Sequence, residues 1–179
     1  GDTKVVERGG LGGLIINTAG VGLIPAEVHV SGDAARPGDV VLVSGTIGDH
    51  ETAILVAREG LKLEQTIESD CAPLHGLVAD LLASLPPETL HCLRDPTRGG
   101  IATVTHEICR ATGMQALLDQ TAIPVRDPVN AVCEMLGYDP LFLACEGRVV
   151  AIVAADQAAQ ALTRWKGLPD GDRAALFGE

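Results

Sequence analysis

The chain has 179 residues and a formal net charge of −11, with 46% hydrophobic residues but only 2% aromatics. That length can bury roughly two thirds of the unfolded surface, in a core built from Val, Leu, Ile and Ala rather than from rings. The acidic balance excludes nucleic acid and anionic membrane as partners, because both are held mainly by Lys and Arg on phosphates, and the shortage of rings leaves little to stack on bases.

The opening stretch "GDTKVVERGGLGGLIINTAGVGLIP" reads as a polar strand end, a glycine loop, and a β run from Leu14 to Thr18 that continues toward Ile24. A lone strand cannot stand by itself, so the front of a larger protein is expected before it. The turn formers of "SGDAARPGD", with Pro37-Gly38 at their centre, mark a boundary. A second unit then starts with "DVVLVS", apolar and β-branched like a buried strand, after which Gly45 to Gly48 turn the chain into a helix begun at Asp49.

Leu74, Leu77, Val78, Leu81, Leu82 and Leu85 share one helical face that stops at Pro86-Pro87. "LHCL" reads as a strand, "LRDPTRGG" as a loop, Ile101 to Ala111 as a helix stopped by Gly113, and "MQALLD" as the next strand. Asp127 as N-cap with Pro128 at the first helical position starts another helix, and Gly137 ends it. "PLFLAC" and "RVVAIVAA" flank Glu146-Gly147 as two β runs of a hairpin, and Asp156 begins a last helix through about Lys166.

Strands alternating with helices, plus one hairpin, give an α+β fold with α/β-like layers in which helices cover a mixed sheet. No repeat or low-complexity tract occurs. The apolar runs fall short of a bilayer span and no leader opens the chain, so a cytoplasmic protein is expected. Cys71, Cys92, Cys109, Cys133 and Cys145 form no C-x-x-C pair. They read as reduced, mostly buried thiols.

Four stretches carry possible chemistry. Arg94, Asp95 and Arg98 surround a proline and a Gly99-Gly100 pair just before a helix. A helix start with Arg98 ahead of it suits phosphate, and Asp95 suits a Mg²⁺-bound phosphate or an N-cap. An Asp-Pro turn feeding a helix explains the same residues, so both readings stand. "GDTK" puts a carboxylate, a hydroxyl and an ammonium where they could hold a metal-bound nucleotide phosphate, or simply face water.

Glu146 sits between two apolar runs. If shielded there it would serve as a general base; otherwise it is an exposed turn residue. His106-Glu107 fails the metalloprotease pattern, because Arg110 stands where the second His is needed. His50 and His75 are lone histidines near helix starts, more readily packed or solvated than catalytic. "GGLGG" precedes a strand rather than a helix, so it is no dinucleotide fingerprint, and no P-loop occurs.

"GDTKVV", "INTAGVG", "PGDVVLVSGTIGDHETAIL", "ESDCAPL", "LRDPTRGGIATVTHEI" and "YDPLFLACEGRVVAIV" together resemble the nickel-iron hydrogenase maturation family HypE, in the superfamily of aminoimidazole ribonucleotide synthetase and selenophosphate synthetase. Glu51 departs from the pattern, where a glycine is expected after "GDH". The resemblance implies residues 1–37 as the end of an ATP-binding, dimerising N-terminal domain and 38–179 as an α/β C-terminal domain, incomplete at its end. It implies ATP-driven dehydration of an S-carboxamide on a C-terminal cysteine to a thiocyanate, which supplies cyanide for iron.

By the same resemblance Lys4 and Glu146 are catalytic. Asp2, Thr3, Asp95, Thr97, Arg98, Gly99 and Gly100 bind the nucleotide, and Asp2 also binds Mg²⁺. Lys4 either takes the proton or polarises the amide. Partners implied are a HypF-type carbamoyltransferase, a HypC-HypD scaffold and a second copy in a homodimer. The cysteine-terminated tail and most of the first domain are missing from this stretch, which is therefore expected to be inactive alone. Rival readings are a selenophosphate synthetase-like enzyme and a non-catalytic docking or dimer scaffold.

Overall fold

The computed structural model describes Ile16 and residues 18–179. Four strands, β1 (Val40–Val43), β2 (Leu90–Arg94), β3 (Val150–Val153) and β4 (Ala175–Gly178), form a sheet of order β2-β3-β1-β4. Among the described residues five α-helices accompany it: α1 (Asp49–Glu59), α2 (His75–Ser84), α3 (Gly100–Thr112), α4 (Asp127–Leu136) and α5 (Ala158–Lys166).

Period-two alternation sends neighbouring strand residues to opposite faces. Val41, Val43, Val150 and Ile152 pack with Ile101, Val104 and Ile108 of α3 on one face. Leu42, Ala151 and Val153 pack on the other with Leu77 and Leu81 of α2 and Ala161 and Trp165 of α5. Trp165 also donates its ring N–H to the Leu77 carbonyl at 3.2 Å, tying α5 to α2. Because both faces are covered, the central strands are almost continuously apolar. A smaller cluster of Val129, Val132, Cys133 and Leu143 seats α4 against the Ala53–Val56 part of α1.

The boundary segment is tied to β2 at a register shift between Leu90 and Cys92. There His91 turns inward: its Nδ1 lies 2.6 Å from Asp39 Oδ2, its Nε2 2.8 Å from the Glu88 carbonyl, and its own carbonyl accepts from Ser31 N–H at 2.9 Å.

The α+β class stands, with helices on a sheet, but all three strand pairings are antiparallel. Several finer expectations are corrected. Residues 18–24 hold no strand, and Val21, Leu23 and Ile24 are exposed, so the β run expected toward Ile24 does not extend there. Its start, from Leu14, lies outside the described residues.

"MQALLD" makes one bridge, Leu118 to Gly178, rather than a strand. Asp119 ends the pairing by accepting from the Thr121 N–H and hydroxyl, which starts a tight turn. "PLFLAC" is no strand either: Asp139 caps the Leu141 N–H at 2.9 Å and Pro140 opens a 3-10 turn, so no hairpin forms at Glu146-Gly147. The N-cap of α4 is Arg126, with Asp127 its first helical residue. Strand β4, not anticipated, pairs with β1 at the sheet edge.

Candidate functional site

The turn from Asp95 to Gly99 joins β2 to α3. Asp95 and Arg98 are exposed and Thr97 is half-buried, with its hydroxyl donating to Asp95 Oδ2 at 2.7 Å. Pro96 is buried. Gly99 (φ 66°) is the N-cap of α3 and Gly100 (φ 62°) its first residue, both left-handed. A Cβ on Gly100 would lie 2.3 Å from the Leu141 carbonyl oxygen and 2.7 Å from that of Leu143. Gly100 thus lets the start of α3 press against the backbone of 141–143. The first N–H groups of any helix lack intrahelical acceptors, and the α3 start brings them beside Asp95 and Arg98.

The second piece is the segment 144–148, held by hydrogen bonds from several directions. Glu51 accepts the Ala144 N–H at 2.5 Å through Oε2, and its own N–H donates to the Ala144 carbonyl at 3.3 Å. The Cys145 N–H donates to the Pro96 carbonyl at 3.0 Å. Asp70 Oδ1 accepts from the N–H groups of Glu146 and Gly147, at 2.8 and 3.1 Å. Arg148 returns to β1's end through the Thr46 carbonyl at 2.7 Å, and donates to the Gly147 carbonyl at 2.8 Å.

Of the residues predicted from sequence, Asp95, Thr97, Arg98, Gly99 and Gly100 occupy one turn, and the Cys145 to Pro96 bond brings Glu146 alongside it. Glu146 is exposed in a bend, so the shielding considered for a general base is not supplied by the described residues. Asp2, Thr3 and Lys4 lie outside the described residues.

Three residues of this neighbourhood were not singled out as site residues from sequence. Asp70 reaches the segment from a distant chain position, Arg148 ties it to Thr46, and Glu51 reads from sequence as first-turn capping with Asp49 and as a departure from the family pattern. No periodicity or local spacing signals such contacts.

Cys145 sits behind this segment, fully buried, with its sulfur accepting from the Gly48 N–H at 3.4 Å. Burial pushes its thiol up to about 12, against a smaller lowering by that N–H. A thiol so protonated is no nucleophile near neutrality. All five cysteines are free.

Among the described residues no three His, Cys, Asp or Glu side chains gather as a metal site. Mg²⁺ held mainly by phosphates and water needs only one or two protein carboxylates, and Asp95 is an exposed carboxylate of a kind that would suit one. No helix among the described residues is long and apolar enough to cross a membrane.

Residues 36–171 match the family described as AIR synthase related protein, C-terminal domain. The chain is 51% identical over 178 residues to carbamoyl dehydratase HypE of Azotobacter vinelandii, covering 99% of this chain and 52% of that protein. It is 50% identical over 179 residues to that of Cupriavidus necator, covering 100% and 50%. It thus spans about half the length of the curated relatives it matches.

Among solved structures, Escherichia coli HypE superposes with a TM-score of 0.84 at 42% identity, over 88% of this chain and 48% of that one. A HypE-HypF complex gives 0.81 at 45% identity, over 84% and 48%. HypE in complex with ATP gives 0.77 at 43% identity, over 84% and 44%. The chain belongs to the AIR synthase related family through its C-terminal domain, and the two relatives named above, at about half identity, are HypE proteins.

Proposed function

We propose that this chain forms the C-terminal domain side of an ATP-dependent carbamoyl dehydratase of hydrogenase maturation, with residues 1–37 ending the N-terminal domain and 38–179 forming the second. The observation that carries the reading is the junction of the Asp95–Gly100 turn with the Glu146 segment through the Cys145 to Pro96 hydrogen bond, 3.0 Å long. It holds the backbone that carries Glu146 against the turn that leads into an anion-suited helix start.

An amide oxygen is a poor leaving group. ATP, which a HypE relative is known to bind in its crystal structure, supplies the phosphoryl group that makes the oxygen leave as phosphate. Arg98 and the first N–H groups of α3 bear on the phosphates, and Asp95 with Asp2 holds Mg²⁺. Thr97 keeps the Asp95 carboxylate oriented through its 2.7 Å hydrogen bond, and Thr3 contributes a hydroxyl beside Asp2.

One N–H proton is released to solvent as the oxygen is phosphorylated; Glu146 takes the second, and the electrons of that N–H bond complete the nitrile as the oxygen departs with the phosphate. Lys4 polarises the amide or shares the proton. Gly99 and Gly100 admit the backbone turn that brings these groups together. Closure of the full protein around the acylated cysteine supplies the shielding that the described residues do not give Glu146.

The cyanide group of the thiocyanate is donated to iron through a HypC-HypD scaffold after a HypF-type enzyme has loaded the carboxamide, the sulfur staying on the cysteine, and the enzyme works in the cytoplasm as a homodimer. A HypE-HypF complex among the structural relatives supports the loading partner.

The test uses the full-length protein, loaded with the carboxamide and given ATP and Mg²⁺. Thiocyanate formation is followed by the loss of one water in the protein's mass. Glu146→Gln is expected to lower the rate on the order of 100-fold or more. A wild-type rate in that variant removes the base assignment, and absence of ATP binding by calorimetry removes the enzymatic reading in favour of a scaffold.

A further inference from the structure

We infer that Asp70 is a positioning residue for Glu146, its buried carboxylate fixing the backbone that presents the Glu146 side chain to the Asp95–Gly100 turn. The inference rests on the reading of Glu146 as proton acceptor.

Asp70 is only 7% exposed. Burying a carboxylate costs free energy unless hydrogen bonds and charges compensate. Here one oxygen accepts from two successive amides, Glu146 at 2.8 Å and Gly147 at 3.1 Å, while the other, Oδ2, is buried without a hydrogen-bond partner among the described residues. Stability alone is poorly served by a half-satisfied buried acid. Control of two consecutive N–H groups is what the arrangement gains, and bonds to an ionised acceptor are roughly twice as strong as neutral ones.

The backbone of the same segment completes the grip. A Cβ on Gly147 would lie 1.7 Å from the Asp70 carbonyl oxygen and 2.6 Å from the Ala72 nitrogen, so 70–72 and 147 lie flush. On the other side, the Cys145 N–H is held by Pro96. Glu146 is therefore fixed at both flanking peptide units while its side chain stays exposed. Asp70 turns its own oxygen to the backbone rather than to any reacting atom. A displacement of about 1 Å at a reacting group costs on the order of 100-fold in rate, which is the scale at which this clamp acts.

The experiment is a double-mutant cycle in the full-length protein, with kcat and KM for ATP measured on carboxamide-loaded enzyme. Asp70→Ala is expected to lower kcat on the order of 100-fold with KM little changed. Asp70→Asn keeps an oxygen on both amides but loses the charge, and is expected to fall about tenfold. In a Glu146→Gln background neither change lowers the rate further.

If Asp70→Ala does not fold, the Asp70→Asn cycle decides by the same criteria. A wild-type kcat for Asp70→Asn while Glu146→Gln is slow overturns the inference and leaves the base assignment standing. An equal fractional loss in both backgrounds, or a loss carried by KM, reveals general damage and also overturns it. A wild-type rate for Glu146→Gln removes the base assignment itself, and the Asp70 role with it.

Discussion

The turn at Asp95–Gly100 and the bend at Cys145–Arg148 touch through one backbone hydrogen bond, Cys145 N–H to Pro96 at 3.0 Å, yet they use glycine differently. In the turn, Gly99 and Gly100 both adopt a left-handed φ, a conformation the absence of Cβ makes cheap, and at Gly100 the backbone of 141–143 excludes a side chain as well. In the bend, Gly147 has no such φ and is required by space alone, because the backbone of Asp70–Ala72 fills the position of a side chain. One loop leaves Asp95 and Arg98 exposed. The other spends its polar groups on holding itself in place, through Glu51, Pro96 and Asp70.

The contrast is tested most severely at Gly147. Its Cβ would meet backbone atoms at 1.7 and 2.6 Å, which no rotamer change relieves. Gly147→Ala in the full-length protein should lose about 3 kcal/mol or more, read as a fall in the denaturant midpoint. Gly137→Ala is the control: its φ is +74° but nothing lies within 4 Å, so its cost should be about 1 kcal/mol. Equal costs for the two would show that space does not select glycine in the bend.

The next effect is one of pH. Cys145 and Cys92 have thiols pushed by burial from 9.0 to about 12 and about 11. For both, the folded value lies above the unfolded one, so their contribution is complete below about pH 9. It is lost as pH rises through the folded values, because the unfolded chain ionises first. Stability should fall by roughly a kcal/mol per pH unit for each thiol over pH 9 to 11. Replacing both by Ala should flatten that slope even though the variant is weaker at pH 7; an unchanged slope would put the alkaline sensitivity elsewhere.

Much of the scaffold around these loops was legible in the sequence, for reasons the structure makes plain. The leucine spacing of α2, the β-branched run of β1 and the stops at Pro86, Gly113 and Gly137 are local signals, and the elements follow them. Where local polar chemistry overrode apolar pattern, the reading failed: Asp139 and Asp119 cap tight turns inside "YDPLFLAC" and "MQALLD", runs that composition alone makes look like strands. Strand β4 lies at the sheet edge with Leu176 exposed, and Ala-Leu-Phe-Gly lacks the β-branched run that marks β1.

At the proposed site, the turn and Glu146 were taken from resemblance. The residues that hold Glu146 were not legible, since Asp70 meets it across 76 positions of sequence.

Glu51 offers a smaller test of the bend's anchoring. It replaces the glycine expected from the family pattern and grips Ala144 through side chain and backbone together. Glu51→Ala removes only the side-chain bond and leaves the partly buried Ala144 N–H without it, a cost of about 1 to 2 kcal/mol. Glu51→Gln, which keeps an acceptor, should recover most of that loss in the same unfolding measurement. If both variants unfold with the wild type, the bend is held by Asp70 and Pro96 without help from α1.

The smallest effect on stability should come from Thr97, and there the two loops separate most clearly. Its hydrogen bond to Asp95 Oδ2 is 2.7 Å long but exposed. Thr97→Ala should therefore move unfolding by no more than about 0.5 kcal/mol. The same change releases the Asp95 carboxylate, so if the turn faces a Mg²⁺-bound phosphate, ATP affinity in the full-length protein should weaken several-fold while the fold is untouched. A turn that merely feeds α3 would instead show neither effect, and calorimetric titration of Thr97→Ala with ATP and Mg²⁺ tells the two apart without any measurement of turnover.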